Sequence, residues 1–224
     1  MRFCGCTRSW KNWRRSNLIK ILTLCGSPVP ESSTEILLRK VASTIKTELA
    51  GHKVRHRLVQ LNELEFVPCQ SCGEAPTPKF CFFDDDLTGV YRDLAAADCV
   101  LFGSPIYFDA VSTQAKAFID RCNCVRPADF NNVDPEHDFL KLLPRKRPGA
   151  MVLVGGEQGW FEGARRCIAG WFKWVEVVNE GMMKFQPVDF VRSGEAADNE
   201  EALAEAAALG KHLAEVLVRD YGHG

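Results

Sequence analysis

Two kinds of apolar pattern alternate along most of the chain. The runs LIKILTLCG from Leu18, ADCVLFGSP from Ala97 and GAMVLVGGEQG from Gly149 are short and nearly continuous in apolar residues, and each reaches a glycine. That is how strands buried on both faces of a parallel sheet read. HKVRHRLVQL from His52 alternates instead, as a strand with one wetter face does, and a fifth strand is expected within MMKFQPVDFV from Met182. Between these segments the apolar period lengthens. Ile36, Leu37, Val41, Ile45 and Leu49 recur at helical spacing behind the N-cap candidates Ser32 to Thr34. The same spacing predicts helices over about 85–96, within VSTQAKAFIDRC from Val111, over about 161–178 and over about 199–220.

Strands alternating with helices predict an α/β fold: a doubly wound, five-stranded parallel sheet covered on both faces, three layers in all, with right-handed crossovers. Such a sheet takes its ligand outside the carboxyl ends of its strands. Three strands end there in glycine-bearing turns, at Gly26, Gly103 and Gly155–Gly156, so these turns are expected to converge on one site.

Composition then narrows the classes. A chain of 224 residues fits one large domain, here 18–224, preceded by a basic extension, 1–17, that carries Arg2, Arg8, Lys11, Arg14 and Arg15 without an acid. Trp10 and Trp13 are the candidates to dock that extension on the body or on a neighbouring subunit. A net charge of −1 argues against nucleic acid as the partner. No apolar run approaches the roughly 18 residues of a membrane span, and no signal-peptide core follows the basic start. Ten cysteines at irregular spacing, several inside apolar runs, fit reduced thiols and a cytoplasmic location.

The first turn, GSPVPESSTE, gathers Ser27, Ser32, Ser33 and Thr34 at a helix start, where free N–H groups and the helix dipole attract an anion. It is neither a Walker loop nor a GxGxxG turn, and it holds no lysine, so neutral donors would do the holding. Simple capping with spare serines explains the same residues. In the second turn, FGSPIYFDAVSTQAKAFIDR, apolar and aromatic side chains stand at a strand's carboxyl end. A planar aromatic ligand would cover them.

This second string closely resembles the flavin-contacting segment of the NADPH-dependent FMN reductase and iron–sulfur flavoprotein group, within the flavodoxin-like superfamily. The resemblance is close from about 18 to 121 and beyond that rests on the order of strands and helices. It implies that Ser104, Pro105, Ile106, Tyr107 and Phe108 line the isoalloxazine ring, with Ser112 at the next helix start. In the third turn, VGGEQGWFEG, Gly155 and Gly156 allow close backbone approach to the ring, and Glu157, Gln158 or Trp160 would touch flavin or substrate. Trp160, Trp171, Phe172 and Trp174 form an aromatic surplus consistent with a subunit interface.

PCQSCGEAPTPKFCFFDDDL brings Cys69, Cys72 and Cys81 before three aspartates. The aspartates, Asp84 to Asp86, suit the capped and charged first turn of the next helix better than a metal. Cluster-bearing members of the resembled group carry four thiols here. The three cysteines match the first, second and fourth of these, while the third place holds Ala75. A protein-held cluster takes four ligands, so one iron would be left to a distant thiol such as Cys124 or to solvent. A Cys3His zinc site lacks a nearby histidine, and a Cys69–Cys72 disulfide lacks the helix start of the redox motif. The balance is against a bound cluster; if one is present, Cys69, Cys72 and Cys81 are its metal ligands.

The resemblance thus implies an enzyme that binds FMN, takes a hydride from NADH or NADPH and passes electrons to a quinone, a flavin or a similar small-molecule acceptor. It would assemble as a homodimer or homotetramer. No catalytic side chain is assigned, because the cofactor supplies the chemistry. The alternative is an iron–sulfur flavoprotein that carries electrons to and from ferredoxin-like partners.

Overall fold

The computed structural model of the chain describes residues 18–72, 81–125, 143, 146–156, 159–189 and 193–221, with residues 220 and 221 as backbone only. The extension 1–17 with Trp10 and Trp13, and Ala75, Glu157 and Gln158, lie outside the described residues. The elements run β1 (Leu18–Cys25), α1 (Ser33–Glu48), β2 (Lys53–Gln60), α2 (Leu87–Ala96), β3 (Cys99–Tyr107), β4 (Ala110–Val111), α3 (Thr113–Arg121), β5 (Arg147–Gly155), α4 (Glu162–Trp174), β6 (Val177–Phe185) and α5 (Glu200–Tyr221).

Five strands pair in parallel in the order β2-β1-β3-β5-β6. Counted without the short β4, this is the 2-1-3-4-5 order of the flavodoxin-like fold, with its switch point between β1 and β3. Period-2 alternation sorts the central strands between two cores. Ile19 and Ile21 of β1, Leu101 of β3 and Val152 of β5 face Leu37, Leu38, Val41 and Ile45 of α1 and Leu213 and Leu217 of α5. Leu22, Leu24, Phe102, Met151 and Leu153 face the opposite layer, with Tyr91 of α2, Phe118 of α3 and Ile168 and Trp171 of α4. Among the described residues no helix is long and apolar enough to cross a membrane.

Three expectations need correction. Trp171 and Phe172 are 3% and 1% exposed and belong to the core, where Trp171 packs 5.0 Å from Phe102 and 5.6 Å from Phe118, centroid to centroid. They are therefore not interface residues. The helix expected to reach Val178 ends at Trp174, and β6 begins at Val177 rather than near Met182. Glu176 turns the chain there with a left-handed φ of 57°. Its carbonyl accepts from the Arg147 amide, and the buried Arg147 guanidinium donates to the Val175 carbonyl at 2.9 Å, fixing the helix end to the start of β5. Finally, the sheet gains β4, an antiparallel pair of residues joined to β3 by a two-residue hairpin.

Candidate functional site

The three glycine turns meet at the carboxyl edge of β1, β3 and β5, and backbone bonds stitch the first two together. The Gly26 amide donates to the Gly103 carbonyl at 2.8 Å. The Ser112 hydroxyl donates to the Gly26 carbonyl at 2.5 Å and accepts from the Ala115 amide, capping α3. The Ser112 amide in turn donates to the Ser104 hydroxyl at 2.9 Å, and that hydroxyl donates to the Pro105 carbonyl. Ser104 is fully buried and spent in these bonds, so its side chain does not line the opening, contrary to expectation.

The four hydroxyls of the first turn do come together, all buried, but three are already engaged. Ser27 closes its own turn through Val29. Ser32 caps α1 by accepting from the Glu35 amide. Ser33 bonds a turn 160 residues away, donating to the Ser193 carbonyl and accepting from the Ala196 amide. Thr34, at the second position of α1, has an amide with no acceptor inside the helix. Beside it lies an acid that went unnoticed in the sequence: the buried Glu35 carboxylate accepts from the Glu31 amide and pairs with Arg39 at 2.6 Å. The spacing Ser32-x-x-Glu35 is a capping-box signal, which could have found it.

Pro105 is half-buried and Ile106 nearly buried, but Tyr107 is 48% exposed and Phe108 stands completely free. Phe108 and Asp109 form the hairpin turn with φ of 51° and 60°, the paired left-handed conformation of a type I′ turn. Glycine and asparagine are the usual occupants there; a bulky aromatic is strained. The turn is anchored by Asp109, whose carboxylate accepts from the Gly163 amide at 3.1 Å and so caps α4, a task Phe161 at the cap position cannot perform. Its other oxygen is buried without a partner. Gly155 and Gly156 have φ of 101° and 81°, and Ile106 packs over both. Trp160, 68% exposed, is the third open aromatic among these turns.

Cys81, Cys122 and Cys124 belong to one core cluster. The short 3₁₀ turn Cys122–Cys124 ends α3 and packs against the cysteine loop. Burial first, then the charge and hydrogen bond of Cys81, then the charges of Cys69 and Cys72, push the Cys124 thiol up to about 12. Cys122 lies deeper, fully buried, and is likewise pushed up to about 12, by burial first. Arg121 ties this assembly down. Its guanidinium, 1% exposed, donates to the Val67 carbonyl and pairs with Asp85 at 2.8 Å, while its carbonyl accepts from the Tyr91 hydroxyl. Burial works against its charge, but the Asp85 hydrogen bond holds its pKa above the ordinary arginine value. Nε and Nη2 of Arg121 are buried with no hydrogen-bond partner. Asp85 also accepts from the Leu87 amide and Asp84 from the Thr88 hydroxyl, so the aspartates brace the start of α2 as capping residues do. Among the described residues no group of three or more His, Cys, Asp or Glu side chains could hold a metal ion.

Residues 19–182 match the family model for NADPH-dependent FMN reductase. An iron–sulfur flavoprotein of Methanocaldococcus jannaschii is 31% identical over 108 residues, 48% of this chain and 54% of that protein. An iron–sulfur flavoprotein of Methanosarcina thermophila is 25% identical over 159 residues, 71% of this chain and 74% of that one. The chain therefore spans about half of the first relative and three quarters of the second. Among solved structures, a flavone reductase superposes with a TM-score of 0.64 at 16% identity, over 92% of this chain and 65% of that one. An NADH:FMN oxidoreductase in its apo form gives 0.60 at 14%, over 88% and 89%, and an archaeal flavodoxin 0.53 at 13%, over 89% and 99%. At these identities the structures speak for the fold.

Proposed function

Since the chain belongs to the NADPH-dependent FMN reductase family, we propose that it is an FMN-dependent oxidoreductase that takes hydride from NADH or NADPH and delivers electrons to a small acceptor such as a quinone or a free flavin. The observation that carries this reading is the open aromatic edge at the switch point: Tyr107 and Phe108 are presented to solvent by a strained turn, with no core of their own to fill. A planar ring is the ligand such a surface suits. When bound, the flavin supplies the hydride and electron chemistry.

This chain's own residues do the binding. Tyr107, Phe108 and Ile106 offer the flat face, and Gly155 and Gly156 allow backbone approach from β5. Ser27, Ser32 and Ser33 hold the first turn in shape, and the Thr34 amide at the start of α1 would meet the phosphate. Arg39 offsets the charge of Glu35 beside that position. Assembly as a homodimer or homotetramer, with Trp160 near the boundary, a cytoplasmic location and a single domain over 18–224 belong to the same proposal.

The test is uptake of FMN by purified protein, followed by NAD(P)H oxidation with a quinone acceptor. A tightly bound flavin spectrum and turnover are expected; a protein that stays colourless with added FMN overturns the reading. The second reading, an electron-carrying iron–sulfur flavoprotein, is favoured by Cys81 and the Cys122–Cys124 turn packing in one core cluster. It predicts iron and acid-labile sulfide in anaerobic protein with little nicotinamide turnover.

A further inference from the structure

The start of α1, the proposed phosphate seat, is already occupied by another part of the chain. We propose that residues 193–198, which lead into α5, latch this seat in the flavin-free protein, and that the phosphate of FMN binds by displacing the Ser193 carbonyl from Ser33. The inference rests on the flavin reading and adds to it a competitor within the chain.

A helix start attracts an anion through its free amides. At α1 most of them are engaged. The Ser33 amide donates to the Ser193 carbonyl at 2.6 Å, the Glu35 amide to the Ser32 hydroxyl and the Ile36 amide to the Ser32 carbonyl. The Ser33 hydroxyl donates to the same Ser193 carbonyl at 3.1 Å, so both lone pairs of that oxygen are filled. The Ala196 amide returns a bond to the Ser33 hydroxyl, also at 3.1 Å. Ser33 and Thr34 are each 1% exposed. With the strap in place a phosphate meets only the Thr34 amide, which has no acceptor inside the helix. The Ser193 carbonyl holds the amide and the hydroxyl that a second phosphate oxygen would take.

The strap is lightly held. Of residues 193–198 only Ala196 is buried, so release gives one methyl group to water. The rest of its hold is polar. Glu195 accepts from the Val188 and Asp189 amides at 3.0 and 2.8 Å. Gly194 lies so near the first turn that a Cβ there would stand 3.0 Å from the Glu31 carbonyl. Residues 193–198 also carry Glu195 and Asp198 and no base. A dianion at Ser33 therefore repels the strap instead of sharing the seat with it.

Two measurements on the full chain test the latch: amide exchange by NMR with and without saturating FMN, and Kd for FMN by fluorescence titration. Bound ligands ordinarily slow exchange where they bind. Here the Ala196 amide is expected to exchange severalfold faster in loaded protein, because its acceptor on Ser33 has turned to the phosphate. Riboflavin, which has the ring without the phosphate, is expected to leave that amide unchanged. Glu195→Ala frees the strap without touching the seat and is expected to lower Kd for FMN by about two- to tenfold, the worth of one hydrogen bond, with Kd for riboflavin unaltered. Gly194→Ala, at a φ of −107° that alanine accepts, is expected to act in the same direction by pushing the strap off Glu31. Misfolding cannot explain tighter binding. Unchanged or slower exchange at Ala196 in FMN-loaded protein, equal acceleration by riboflavin, or an unchanged Kd in Glu195→Ala overturns the latch and leaves the flavin reading standing. Failure of both wild type and Glu195→Ala to take up FMN overturns the flavin reading, and the latch with it.

Discussion

Phe108→Asn separates the stability of the site from its use. Phe108 holds a left-handed φ of 51° with its ring wholly in solvent, so it pays a backbone penalty and gains no packing in return. That penalty is about 1–2 kcal/mol for an ordinary L residue, and asparagine tolerates the conformation at much lower cost. The substitution is therefore expected to stabilise the protein by ~1 kcal/mol, which raises Tm by about 2–4 °C in a chain of this size. The same change removes an aromatic face from the proposed flavin edge. An aromatic contact is worth about 0.5–1.5 kcal/mol beyond its buried area, so Kd for FMN should rise by about two- to tenfold. Tm is measured on flavin-free protein, because bound FMN would itself raise it, and Kd by flavin fluorescence titration. A Tm that falls would show that the Phe108 ring is held by contacts and its backbone is not the costly element. An unchanged Kd would take Phe108 out of the flavin site.

Gly103→Ala places a methyl 2.5 Å from Leu38 Cδ1 and 2.9 Å from Thr34 Cγ2, under the first turn of α1; it should cost ~1–3 kcal/mol and weaken FMN binding. Gly149→Ala meets the Val100 carbonyl at 2.5 Å far from the opening and should cost a similar amount with Kd unchanged, so equal Kd values for both variants would remove Gly103 from the floor of the phosphate turn. His56, bonded to Thr23 at 2.9 Å, has its pKa depressed below 6.5 by burial first and then by Arg39 and Lys46. Above that value neither state takes up a proton; as pH falls below it the unfolded chain does and the folded one resists, so stability declines, and His56→Gln should flatten that decline in denaturant titrations, while equal slopes would refute the assignment.

The α/β alternation and the meeting of the three glycine turns were legible because each depends on local periodicity and on residues at strand ends. The cap at Ser32 was legible for the same reason, and Ser112 at its helix start through the resemblance. What escaped was through-space. Trp171 and Phe172 follow a half-exposed helix start, and only the rotation of α4 against Phe102 and Phe118 decides that both point inward. Glu176 and the Phe108–Asp109 pair adopt conformations that sequence rules reserve for glycine or asparagine, so neither the early end of α4 nor the β4 hairpin carried its usual signature. Ser33 read as a phosphate ligand because its partners at Ser193 and Ala196 are 160 and 163 residues distant. Arg121 did leave a trace: it falls three positions after Phe118 on the apolar stripe of α3, a charge at a core position.

The placement of Arg121 also shows how α3 ties the flavin edge to the cysteine loop. At nine residues α3 is about 14 Å long. Its first residue follows Ser112, which holds the Gly26 carbonyl and the Ser104 hydroxyl at the flavin edge. Its last residue, Arg121, holds the Val67 carbonyl and Asp85 on either side of the cysteine loop. Gln114 on the same helix bonds Asn62, which donates to the Pro28 carbonyl of the first turn. The proposed flavin edge and the cysteine loop therefore share one strut, a helix fixed at both ends to buried partners.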